Sequence, residues 1–317
     1  MWVLWIMIPL GALVAAVFLG AYIAFCRTFH PFPRETRKAD TVDLPQGKEY
    51  EVHWEAMTKW ALETRQMPCQ RLSVRSFDGL TLKASYYEYA PGAPIEMMFH
   101  GYRGNPERDL SGGVQRCFHA GRSCLMVEQR GCAESEGRTI TFGIHERRDC
   151  LRWVEYVVEH FGPDVKIILT GMSMGAATVL MAAGEPLPPN VVGVLADCGY
   201  TTPREIIQKV MGEMGLPVRL TYPLVKLGAR LYGHFDLEEA SPLDAMKRCK
   251  VPVLFIHGEA DSYVPCEMSL RNYEACASRK RLLTVPGAEH GLSCLVGQEQ
   301  YMRALRDFFG EELSYRK

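Results

Sequence analysis

The segment Val165-Lys166-Ile167-Ile168-Leu169-Thr170-Gly171-Met172-Ser173-Met174-Gly175-Ala176-Ala177 decides the fold. Its apolar run at 165–169 reads as a buried strand, and the small residues Ala176, Ala177, Ala182 and Ala183 read as a helix lying close on a sheet. Between them stands Gly-x-Ser-x-Gly. A strand-to-helix turn this sharp leaves no room for side chains two positions either side of Ser173, which accounts for both glycines. The same turn pushes the serine out, strained and accessible to other groups. A serine hydroxyl is a weak nucleophile at neutral pH, so the chemistry requires an imidazole to take its proton and a carboxylate to orient that imidazole.

Outward from this turn, apolar runs at 95–99, 124–127, 191–196, 253–256 and 282–285 alternate with helical periods at 144–160, 174–183, 267–277 and 298–309. That alternation predicts βαβ units: an α/β fold with a mostly parallel sheet and helices on both faces. Upstream, runs at 72–77 and 80–87 flank Asp78-Gly79, which predicts an antiparallel hairpin. Residues 199–250 are too long for a simple crossover and carry Pro203, Pro217, Pro223 and Pro242. They are expected to form a small helical cap, whose Leu220, Leu224, Leu227 and Leu231 pack on the main body or wall an acyl chain.

Residues 1–26 contain no charged side chain, and at 1.5 Å per residue they exceed the roughly 20 residues that span a bilayer. A transmembrane helix is therefore expected at 1–26, a linker and helix at 27–69, and the main domain at 70–317. A secretory signal needs a positive start, and residues 1–9 carry neither Lys nor Arg. Arg27, Arg34, Arg37 and Lys38 follow the helix, so the positive-inside rule places the domain in the cytoplasm. With 36 Lys plus Arg against 37 Asp plus Glu, no basic excess points to nucleic acid. Eleven cysteines, an odd count without a Cys-x-x-Cys pair, read as reduced thiols and give no metal site.

Four landmarks together resemble the α/β-hydrolase superfamily, nearest to its membrane-anchored esterase and lipase-like members: His100-Gly101-Tyr102, the turn 171–175, Gly258-Glu259-Ala260-Asp261-Ser262-Tyr263-Val264-Pro265, and Glu289-His290-Gly291. The resemblance covers roughly residues 70–310. It implies Asp261 as the acid and His290 as the base. Each follows one of two consecutive strands, and loops leaving the carboxyl ends of adjacent parallel strands converge where the turn presents Ser173. The chain order Ser173, Asp261, His290 is that of the family. Asp197 is the rival acid, though Cys198-Gly199-Tyr200 beside it suggests a turn in which its carboxylate bonds backbone amides. His100 and His257 are expected to be structural.

The resemblance further implies an oxyanion hole made by the backbone N–H groups of Tyr102 and Met174; Met174 stands at a helix start, where free amides favour an anion. The loop Glu128-Gln129-Arg130-Gly131-Cys132-Ala133 departs from the family pattern, with Glu and Ala in place of Asp and Gly, and Arg130 is expected in a structural ion pair. The expected activity is hydrolysis of a carboxylic ester, lipid-like in view of the anchor, with no cofactor. Thioesterase or peptidase chemistry on the same residues is the alternative, as is a silent, membrane-tethered binding module. The region before residue 70 is too short for a propeller, which speaks mildly against an oligopeptidase relationship.

Overall fold

The computed structural model describes residues 2–31 and 41–314. The chain begins with helices α1 (Trp2–Phe29), α2 (Lys48–Glu51) and α3 (Trp54–Gln66), then the hairpin β1 (Gln70–Arg75) and β2 (Thr81–Tyr87). There follow β3 (Ile95–Phe99), α4 (Pro106–Asp109), α5 (Gly113–His119), β4 (Ser123–Glu128), α6 (Glu146–Phe161), β5 (Ile167–Met172), α7 (Met174–Ala183) and β6 (Val191–Asp197). After α8 (Pro203–Glu213), α9 (Val218–Tyr232) and α10 (Pro242–Met246) come β7 (Val253–Gly258), α11 (Cys266–Ala275), β8 (Lys280–Val285), α12 (Ser293–Val296) and α13 (Gln298–Ser314).

The strands form one sheet in the order β1-β2-β4-β3-β5-β6-β7-β8, antiparallel at the β1-β2 and β2-β4 pairs and parallel from β4 to β8. The expected α/β architecture is thus present. β3, β4, β6 and β7 are buried at every position, because helices cover both faces and leave no solvent side for a polar residue. Glu96, inside β3, is held by Arg116, Arg122 and Thr170, and these partners keep it ionised down to about pH 2 against the burial that would raise it.

The helix expected upstream of the sheet is broken at Val52–His53 into α2 and α3. Each half has its own anchor: the Tyr50 hydroxyl donates to the carbonyl of His290, and Trp54 Nε1 donates to the carbonyl of Pro45. Within the expected cap, α10 belongs with the main body. Met246 lies in the central core and a Cβ on Gly184 would sit 2.6 Å from that of Ala245. α8 and α9 bury Ile206, Ile207, Met211, Tyr222 and Val225 in a second cluster with Met174, Ala177 and Met181 of α7.

The leucine stripe of α9 meets a different partner from the one expected. Leu224 reaches Gly20 of α1, and a Cβ on Gly228 would lie 2.5 Å from the carbonyl oxygen of Ala21, so small residues let the two helices touch backbone to backbone. Leu220, one turn earlier, is exposed. Helix α1 is long and apolar enough to cross a membrane over Met7–Phe29, with mean hydropathy 2.2. Its Met7, Ile8, Leu10, Leu13 and Leu19 are exposed, whereas Ala21, Phe25 and Phe29 are buried in the domain. Arg34, Arg37 and Lys38 lie outside the described residues.

Candidate active site

Strand β5 ends at Met172, and the chain turns through Ser173 directly into α7. Ser173 has φ 55° and ψ −117°, a backbone conformation unfavourable for a residue with a Cβ. The turn is tight enough that a Cβ on Gly171 would lie 2.1 Å from the carbonyl oxygen of Gly175, and one on Gly175 would lie 2.0 Å from that of Phe99. Both obstacles are backbone, which cannot step aside as a side chain can. Gly175→Ala is accordingly expected to destabilise the fold by about 4 kcal/mol or more, at the extreme of single-residue effects. Thermal denaturation checks this, and a wild-type melting temperature would show that the turn relaxes.

The loops after β7 and β8 carry Asp261 and His290 to this turn. His290 Nε2 stands 2.9 Å from Ser173 Oγ, and its Nδ1 stands 2.7 Å from Asp261 Oδ2. An ionised carboxylate only accepts, so Nδ1 carries the ring proton and Nε2 is left as the acceptor for the serine hydroxyl. The structure therefore brings together the three side chains that the sequence reading picked out across 117 positions of chain.

Asp261 is held on four sides. Its Oδ1 accepts from the amides of Tyr263 and Val264, and its Oδ2 accepts from His290 and from His257 Nε2 at 3.1 Å. Burial alone would push this carboxyl up, but the hydrogen bonds from His257 and His290 hold it at about 2. His257 is itself oriented: its Nε2 also faces the Val264 carbonyl at 2.8 Å, so Nε2 bears the proton and Nδ1 accepts from the Ser269 hydroxyl at 2.6 Å. It was expected to be structural, yet it fixes the carboxylate that fixes His290. No local pattern marks it, because the contact depends on how the 258–264 loop folds back over its own strand.

The rival acid behaves differently. Asp197 ends β6, but its Oδ1 is buried without a hydrogen-bond partner and does not make the turn-amide bonds expected of it. Burial raises its carboxyl to about 6. His100 is structural as expected: buried, its Nε2 accepts from the Gln129 amide and its Nδ1 faces the Gly101 carbonyl, while burial lowers its pKa. Arg130 forms a bidentate pair with Asp149 of α6, at 2.6 and 2.7 Å, and reaches Asp78 of the hairpin turn.

Met174 is the first residue of α7, where amides lack intrahelical partners and the helix dipole is positive. Tyr102 follows Gly101 in a four-residue turn closed by the Gly104 amide on the Gly101 carbonyl, with Arg103 at φ 53°. Two neighbours of the site had no sequence signal at all. Tyr50 braces the His290 backbone from α2, and the end of α1 meets Tyr102, whose hydroxyl donates to the Thr28 carbonyl at 2.7 Å. Behind the turn, a cavity of about 470 Å³ between α5 and α13 reaches Gly171 and Gly291, with Met57, Trp60, Met98, Met172 and Met302 on its walls. Cys198, Asp261 and His290 offer possible ligand atoms within 4.8 Å of one another, but two of them are engaged in the chain of hydrogen bonds to Ser173.

The profile of the prolyl oligopeptidase family matches residues 139–315, a segment containing Ser173, Asp261 and His290. The shortness of the preceding region does not stand against that match. Among curated proteins, YqkD of Bacillus subtilis (strain 168) is 28% identical over 189 residues, covering 59% of this chain and 62% of that protein. Protein bem46 of Schizosaccharomyces pombe is 24% identical over 307 residues, covering 94% of this chain and 89% of that protein. Among solved structures, an esterase of Pyrococcus furiosus superposes with a TM-score of 0.65 at 17% identity, covering 89% of this chain and 98% of that one. This likeness establishes the α/β-hydrolase fold.

Proposed function

Because the chain belongs to the prolyl oligopeptidase family, we propose that it is a serine hydrolase that cleaves carboxylic esters through an acyl-enzyme on Ser173. The observation that carries the reading is the chain of short contacts from Asp261 to His290 to Ser173, at 2.7 and 2.9 Å, ending on a serine in strained backbone. His290 takes the serine proton as the hydroxyl attacks, then gives it to the leaving alcohol. A water enters, His290 removes its proton, and the acyl group departs as an acid. Asp261 stays ionised and stabilises the imidazolium in both halves. The amides of Met174 and Tyr102 serve the developing oxyanion, each such donor being worth about 3 kcal/mol of barrier.

The likeness to an esterase fold is in keeping with an ester substrate. Helix α1 serves as a retained anchor in this reading, since Phe25 and Phe29 are part of the domain's packing and a cleaved leader would leave a hole there. The turns before Phe18, where Met7, Ile8, Leu10 and Leu13 are exposed, carry the apolar surface that a bilayer would cover. The basic residues after the helix support a cytoplasmic side for the domain. Family membership favours a second reading, amide cleavage.

A panel of p-nitrophenyl esters of increasing acyl length, run beside acyl-amino-acid p-nitroanilides, separates the two. Ester cleavage at least a hundredfold faster in kcat/KM is expected. Faster anilide cleavage would establish a peptidase, and folded protein inert to both would establish the binding module.

A further inference from the structure

An α-helix leaves its last carbonyls without partners inside the helix. At the end of α1 the loop bearing Tyr102 supplies two of them. The Arg27 carbonyl accepts from Arg103 Nη2 at 2.6 Å, the Thr28 carbonyl from the Tyr102 hydroxyl at 2.7 Å, and, one residue beyond the helix, the His30 carbonyl from Arg103 Nε at 2.9 Å. The Phe29 carbonyl accepts from the Ile140 amide at 2.7 Å. A guanidinium at the carboxyl end of a long helix also meets the negative end of its dipole. Beneath these bonds Phe29 is fully buried, its ring 5.9 Å from Phe142, and the Tyr102 ring lies over the same Phe142 at 4.8 Å.

The turn so held is not one the chain adopts by itself. Arg103 sits at φ 53°, which costs a residue with a Cβ about 1 kcal/mol or more, so its surroundings must impose it. Three of the four bonds at the helix end come from the two residues at the centre of that turn, and one of the two, Tyr102, carries the backbone N–H assigned to the oxyanion.

We propose that the last turn of α1, with His30, holds the Tyr102–Arg103 turn in the conformation that aims the Tyr102 N–H at the substrate carbonyl, which makes the apolar helix a positioning element of the active site and not a detachable tether. The inference rests on Ser173 being the nucleophile. It couples the two ends of the molecule: a disturbance that draws α1 away from the domain moves an oxyanion donor, and a shift of 1 Å there is enough to cost about a hundredfold in rate.

The full chain in detergent or nanodiscs tests it through Tyr102→Phe, Arg103→Met and the double variant, all of which keep the backbone N–H. In the double variant kcat is expected to fall tenfold to a hundredfold with KM within threefold. Affinity for a trifluoromethyl ketone, whose adduct fills the oxyanion hole, should fall by the same factor as kcat. Arg103→Lys should recover part of the loss, and Leu13→Ala, on the exposed half of α1, should change neither quantity. If the double variant does not fold, Tyr102→Phe, which deletes one oxygen and leaves the ring on Phe142, carries the test with at least a threefold loss of kcat. Wild-type kcat and ketone affinity in the folded variants, or a change in KM alone, would overturn the proposal. Absence of fluorophosphonate labelling at Ser173 in the native chain would instead remove the premise about the nucleophile.

Discussion

Ser173→Ala is expected to abolish labelling by a fluorophosphonate probe and to lower ester turnover by on the order of 10⁴ to 10⁶-fold, leaving the fold intact. The reason is local. The hydroxyl contributes one hydrogen bond to His290, and the turn that strains residue 173 is set by backbone closeness at Gly171 and Gly175, so the methyl of alanine occupies the same place. His290→Ala should cost nearly as much, and the double variant little more, because the two act as one unit. Additive losses would mean that the imidazole works elsewhere. Labelling that survives in Ser173→Ala would place the nucleophile at another residue.

Asp261→Asn is expected to lower kcat by about 10⁴-fold with little change in KM. The amide oxygen will keep the position that accepts from Tyr263 and Val264, which turns the NH₂ toward His257 and His290. A donor facing Nδ1 forces the ring proton onto Nε2, and an Nε2–H cannot accept from Ser173. Asp197→Asn provides the contrast, with kcat expected within about threefold, since no short contact links Asp197 to the ring of His290; the reverse pattern would exchange the two acids. The pH dependence follows from the same bonds. Asp261 is held at about 2, so it stays ionised across the acid side of the activity profile. A folded-state value below the ordinary carboxylate range of about 4 also means that Asp261 adds stability at neutral pH, which is lost as pH drops toward 2.

Much of this is legible in the sequence. Six apolar runs beyond the hairpin became the six parallel strands, and Asp78-Gly79 became the tip of a real hairpin, because period and turn chemistry are local properties that neighbours in sequence enforce. The glycines around Ser173 were readable for the same reason: backbone crowding within five residues needs no partner from elsewhere. Asp261 and His290 could be named because a parallel sheet delivers the ends of adjacent strands to one edge, so order along the chain becomes proximity in space.

What tertiary structure alone decided involves contacts between segments with no shared period. His257 could be told from any strand histidine only once the 258–264 loop folded back and set Asp261 against its Nε2. The break between α2 and α3 answers to His290, 240 positions away from Tyr50, and so leaves no trace in local propensity. The leucines of α9 suited any apolar partner; that Leu224 found Gly20 depended on small residues in α1 permitting close approach. The end of α1 was readable as the limit of an apolar stretch, but its role in bracing Tyr102 was not. Hydropathy measures what a residue avoids, whereas the carbonyls of Arg27, Thr28 and His30 are the same in every sequence and acquire meaning only from the donors that the fold brings to them.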